Sequence, residues 1–320
     1  MKRSAVLFLF LLLASSGVRA VLLQREGLPR RIENPQTICL PGGSRVEFRQ
    51  FFAPSLKKQA NYSVFLPPSY DELKAEDALP VVYLLHGMWN DHTSWIVERY
   101  GSIPEKLERL IIEGKIPQML VVSPDGENSF YTDFLDGSLR FEQLVYKDLV
   151  EMVESTYKVV NSRRGRALAG VSMGGYGALK IAMRFPEFYA SVVAVSPIVF
   201  IGENPSAPIL NSTSRGAQYF QTALKPVFGM PFEPEHWRRN SLEILAKDAD
   251  LENLRIYFSY GTADRYNRSF PMQKGVETLS DVLKERGVPH QFEVVEGGPH
   301  GWSLVQGQLQ EVLTFVTKTF

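Results

Sequence analysis

An α/β fold, a mostly parallel central sheet with helices on both faces, is predicted by two features of this 320-residue sequence. Short apolar or alternating runs bounded by Gly, Pro or polar residues recur along the chain, and helix-length amphipathic stretches separate the later ones. Strand and helix in alternation require crossover connections. These make neighbouring strands parallel and lay helices over both faces. With 44% hydrophobic and 12% aromatic residues, the chain can bury the core that such a domain needs.

The elements follow in order. Residues 1–20 read as a secretory signal peptide: Lys2 and Arg3 precede the uncharged run Ala5 to Gly17, and Val18 and Ala20 are the small residues that decide cleavage. The run is shorter than the ~20 residues of a spanning helix, so no stable membrane insertion is expected after cleavage. Residues 21–44 form an N-terminal extension and 45–320 the α/β domain. Strands are predicted at "VEFRQFF", "YSVFLP", "PVVYLLH", "MLVVSP", "RALAGVS", "SVVAVSP", "RIYFSYG" and "HQFEVVEG". Helices are predicted at Pro104 to Glu113, Phe141 to Tyr157, Tyr176 to Arg184, Phe270 to Arg286 and Trp302 to Lys318. Residues 201–240 interrupt this rhythm with prolines and with Phe220, Phe228, Phe232 and Trp237 in no clean period. The stretch reads either as a lid-like insert or as a surface excursion packed by its own aromatics.

Charge and cysteine content narrow the function. Thirty-five basic residues balance 35 acidic ones, so no positive field gathers phosphates and nucleic acid is not an expected partner. The single cysteine, Cys39, excludes an internal disulfide and a thiolate-rich zinc site, and is expected to pack. Export without disulfides fits a secreted or periplasmic protein of a bacterial envelope.

The chemistry is concentrated at "AGVSMGGYGALKIA", residues 169–182. Gly170, Ser172 and Gly174 spell GxSxG where a strand meets a helix, and that junction holds a serine in a strained conformation with its hydroxyl proud of the sheet. The same turn places the Met173 N–H at a helix N-terminus, where unpaired donors favour negative charge. A serine hydroxyl needs a base, and the base needs an orienting acid. Asp264 follows "RIYFSYG" and His300 follows "HQFEVVEG", so both stand at the carboxyl ends of strands, on the rim where Ser172 stands. Asp248 and Asp250 precede a strand and lie at the wrong end; Asp125 and Asp133 follow an earlier one. The order Ser172, Asp264, His300 is that of α/β-hydrolases. Gly87, after the strand ending at His86, allows close approach, so the Met88 N–H is the second expected oxyanion donor. The His86 imidazole is read as a loop brace. His92, His236 and His290 are read as exposed or ordinarily packed. No metal or organic cofactor is called for.

Together, "LLHGMWNDHTSW", "VVSPDGENSFYTDF", "GVSMGGYGAL", "GTADR" and "GGPHGW" resemble the esterase D family of α/β-hydrolases over roughly residues 45 to 318. That family includes feruloyl and acetyl esterases, S-formylglutathione hydrolases and mycolyltransferases. The resemblance implies Ser172 as nucleophile, Asp264 as acid, His300 as base, and a PDGxxSxY loop with Asp125, Gly126, Ser129 and Tyr131 beside the site. The pocket residues it implies are His86, Gly87, Trp89, Ser129, Tyr131 and Trp302. The chain departs from feruloyl esterase-like members after Trp302, where Ser303-Leu304-Val305 replace an expected tryptophan. The expected activity is serine carboxylic-ester hydrolysis through an acyl-enzyme, on acyl or feruloyl esters of carbohydrates or on small esters. A mycolyltransferase-like acyltransferase and a non-catalytic carbohydrate-binding module are the alternatives.

Overall fold

The computed structural model describes residues 37–74, 76–97, 102–202, 205–213, 215–268 and 272–320. The signal peptide expected at 1–20 and most of the 21–44 extension lie outside them. The described strands are β1 (Thr37–Cys39), β2 (Arg45–Ala53), β3 (Lys58–Leu66), β4 (Val81–Leu85), β5 (Leu120–Pro124), β6 (Arg166–Val171), β7 (Ser191–Val195), β8 (Arg255–Gly261) and β9 (His290–Val295). They form one sheet in the order β1-β2-β3-β5-β4-β6-β7-β8-β9. Strands β4 to β9 run parallel to one another, and β1, β2 and β3 add an antiparallel edge whose β3 pairs with β5. All eight predicted strands form. The ninth, β1, spans three exposed residues at the sheet edge, too few to show a period. Cys39 lies on it and is exposed, which corrects its reading as a packing residue: an edge strand with both faces in solvent has no core to enter.

The central strands are mostly apolar because helices cover both their faces; every residue of β5 and β7 is buried. The covering helices include α1 (Ile103–Ile112), α2 (Phe141–Gln143) and α3 (Val150–Thr156), the last two joined by a π-helical turn at Leu144–Leu149. Then comes α4 (Met173–Arg184), buried from Met173 to Met183 against β6 and its neighbours.

Residues 201–240 are more regular than the sequence reading held, for they contain α5 (Ala207–Leu210), α6 (Arg215–Phe228) and α7 (Pro234–Asn240). Their aromatics cluster, as expected of an excursion packed by its own rings: Phe228 and Phe232 lie 4.9 Å apart between centroids, and Trp237 lies 5.3 Å from Phe232. The end of α7 is tied to α4, since the Tyr176 hydroxyl donates to the Asn240 carbonyl at 2.6 Å. Helices α8 (Leu242–Asp248), α9 (Met272–Glu285) and α10 (Trp302–Thr317) complete the layers. Among the described residues, no helix is long and apolar enough to cross a membrane.

Candidate active site

The site grows from the β6–α4 turn. Ser172 has φ 58° and ψ −118°, a conformation that costs energy for any residue with a side chain. Its neighbours explain how the turn closes. A Cβ on Gly174 would lie 2.1 Å from the Leu85 carbonyl oxygen, and one on Gly170 would lie 2.1 Å from that of Gly174. Only hydrogen fits at either position, so the glycines let strand and helix close around the serine.

His300, in the loop before α10, places Nε2 2.9 Å from Ser172 Oγ. Its Nδ1 lies 2.5 Å from Asp264 Oδ2, and the other Asp264 oxygen accepts the Tyr266 N–H at 2.8 Å. The buried carboxylate can only accept, so Nδ1 carries the proton and Nε2 is left free to take one from the serine. The Tyr266 ring stands edge-on to the imidazole, 4.6 Å between centroids, and blocks its rotation. Three residues up to 128 positions apart thus form one relay. Asp133 is engaged elsewhere, accepting the Glu142 N–H at 2.9 Å.

Gly87 packs against the serine, where an added Cβ would sit 3.4 Å from Ser172 Cβ. Met88 lines the same cavity, and Met173 opens α4, so its N–H is among the donors a helix cannot satisfy internally. His86 is a brace: its Nε2 accepts the Gly126 N–H at 2.9 Å, which requires Nδ1–H to donate to the Gly87 carbonyl at 2.9 Å.

The cavity beside Ser172 measures about 480 Å³. Gly87 and Trp302 line it as expected, and Trp302 also donates Nε1–H to Asn90 Oδ1 at 2.9 Å. His86, Ser129 and Tyr131 do not line it: all three are fully buried behind it. The Ser129 hydroxyl donates to the Gly126 carbonyl at 2.6 Å, and the Tyr131 hydroxyl to that of His86 at 3.3 Å, so these residues hold the loops that shape the cavity. Trp89 stands outside the lining, 54% exposed, with its ring 6.2 Å from Tyr219 of α6. His92 and His236 are buried, whereas His290 stacks on Phe258.

Among the lining residues that the sequence reading did not assign to the site are Asn90, Phe220, Arg265 and Tyr266. The last two had a signal, since they directly follow Asp264 in "TADRY".

Behind the site, Lys180 of α4 is fully buried and pinned by the Tyr131 carbonyl and the Thr132 hydroxyl, both at 2.9 Å, and by Glu142 at 2.5 Å. Burial pulls its ammonium down to about 8 against the opposing attraction of Glu142. Burial would raise Glu142, but Lys180 and Arg184 together hold it below its ordinary value.

Residues 53–316 match the family model described as "Putative esterase". This chain belongs to that esterase family. It is a carboxylic-ester hydrolase with an α/β-hydrolase fold. The esterase is 25% identical over 285 residues to an acetyl esterase of Caldicellulosiruptor saccharolyticus, a match covering 84% of this chain and 96% of the relative. It is 26% identical over 264 residues to an S-formylglutathione hydrolase of Paracoccus denitrificans, covering 77% and 83%. Among solved structures it is similar to a ferulic acid esterase, with TM-score 0.70, 26% identity, and coverage of 87% of this chain and 98% of the other.

Proposed function

We propose that this esterase works through an acyl-enzyme on Ser172, with His300 as general base, Asp264 as the acid that orients it, and the Met88 and Met173 amides as oxyanion donors. The relay supports this reading: a strained serine hydroxyl at 2.9 Å from an imidazole that is itself held at 2.5 Å by a buried carboxylate. His300 takes the Ser172 proton as the oxygen attacks the ester carbonyl. The protonated imidazole then gives that proton to the leaving alcohol. Water, deprotonated by the same imidazole, releases the acid. Each oxyanion donor of this kind contributes ~3 kcal/mol to the transition state.

The proposed substrates are acyl or feruloyl esters of carbohydrates, or small esters. The size of the cavity suits a small molecule, in the range of roughly 300–1,000 Å³. The exposed Trp89 and Tyr219 rings, next in the chain to the lining residues Met88, Asn90 and Phe220, suit the face of a sugar. The names of the acetyl and ferulic acid esterase relatives agree. The signal peptide reading of residues 1–20 makes the protein an exported one, which N-terminal sequencing of secreted material tests.

Ser172→Ala tests the chemistry. Turnover of p-nitrophenyl acetate and of methyl ferulate should fall by on the order of 10⁴-fold or more, and a fluorophosphonate should label Ser172 in the wild type. Unchanged turnover, or label on another residue, refutes the assignment.

A further inference from the structure

Among the described residues lining the cavity, Arg265 carries the one permanent charge. Among those residues no carboxylate stands within ion-pair distance of it. The nearest in sequence, Asp264, has both oxygens committed, one to His300 and one to the Tyr266 N–H. The guanidinium instead lies over the Tyr266 ring, 5.0 Å from its centroid, with Nη2 3.3 Å from the Tyr266 hydroxyl. Tyr266 in turn abuts His300, so a short chain of contacts fixes the cation relative to Ser172.

Such a placement leaves the cation without an anionic partner of its own when the substrate is neutral. Proton transfer to His300 makes the imidazole positive and the carbonyl oxygen negative together, and the oxyanion is met by the Met88 and Met173 amides. A negative group on the substrate would supply the partner that the cation lacks. The guanidinium is planar, permanently charged and stacked on an aromatic ring. It presents its donors in the fork that matches a carboxylate.

We propose that Arg265 is a specificity residue for acidic esters, whose free carboxylate docks on the guanidinium while the ester carbonyl lies at Ser172. The carboxylate can belong to the acyl part, as in the half-ester of a dicarboxylic acid, or to the alcohol part, as in an ester of an acidic sugar or phenol. This inference rests on the serine-esterase reading and narrows its substrate class.

Two matched pairs test it. Monomethyl adipate against methyl hexanoate examines the acyl side, followed by acid release. 4-Acetoxybenzoate against its methyl ester examines the alcohol side. For each pair the ratio of kcat/KM, acidic over neutral, is compared in the wild type, Arg265→Gln and Arg265→Lys. In one pair the Gln variant should lower the ratio about three- to tenfold, the range of a partly exposed charge pair. The loss should fall in KM, because a contact remote from the reacting atoms binds ground and transition states alike. Lysine should restore part of it, and salt should narrow the gap between wild type and Gln.

A ratio unchanged by Arg265→Gln in both pairs overturns the proposal, as does a wild type that hydrolyses neither acidic ester. Ser172→Ala, run on the neutral esters, separates the two claims. If it abolishes turnover while the ratios stay flat, the nucleophile stands and the role of Arg265 falls. If it leaves turnover intact, the site reading itself has failed.

Discussion

Gly174→Ala converts the tightest contact of the site into a rate. The added methyl would lie 2.1 Å from the Leu85 carbonyl oxygen and 2.6 Å from that of His86. Carbon and carbonyl oxygen need about 3.3 Å, so the start of α4 and the end of β4 must part by roughly 1 Å. Leu85 is paired with Gly170 across the sheet, and two residues after His86 the chain reaches Met88. The separation therefore widens the gap between Ser172 and the Met88 amide. A displacement of that size costs on the order of 100-fold in rate, and the overpacking costs ~1–3 kcal/mol in stability. The checks are kcat/KM for p-nitrophenyl acetate and a urea unfolding curve on the same preparation. A variant that keeps more than a tenth of the wild-type kcat/KM at undiminished stability would show that the turn relaxes without moving the serine, and the steric account of GxSxG here would fail.

Gly307 offers the opposite case: it lies within α10, and an added Cβ meets nothing within 4 Å, so Gly307→Ala should raise unfolding free energy by ~1 kcal/mol in urea titration while kcat stays unchanged. Lys180 gives a pH signature. Its pKa is lowered to about 8 in the fold from the ordinary 10.5, so between those values the unfolded chain binds more protons and stability rises with pH; below about 8 the cost of the buried charge is fully present. Unfolding free energies of wild type and Lys180→Met, measured at pH 8 and pH 10, should diverge by roughly 2 kcal/mol in favour of the wild type at the higher pH. A pH-independent difference would mean that the lysine keeps an ordinary affinity for its proton.

The eight longer strands were legible because each carries an uninterrupted apolar or alternating run, and the long helices because their stripes persist for three turns. The relay was legible for a topological reason: Ser172, Asp264 and His300 each follow a parallel strand, and parallel strands deliver their carboxyl ends to one rim. The helix α6 was missed although Ala217, Phe220, Leu224 and Val227 repeat at helical spacing. Pro226 and the prolines before it read as breakers, yet Pro226 falls in the last turn, where little of the helix remains to be broken. The side on which Ser129 and Tyr131 stand was not legible. Phe130 and Tyr131 both have positive φ, 54° and 48°, and this turn carries the tyrosine ring back against Gly126 and Gly177, away from the cavity. No periodicity encodes such a reversal. Arg265 was not legible as a lining residue, because nothing in "TADRY" says to which side the side chain after the acid turns.

The bond from Tyr176 to Asn240 joins the last turn of the insert to the helix that begins beside the reactive serine. Remodelling this esterase for bulkier esters by trimming 201–240 back to its ends would cut that tether. A graft keeping Asn240 and exchanging the segment around Phe220 would change the wall of the chamber while its foundation stays in place.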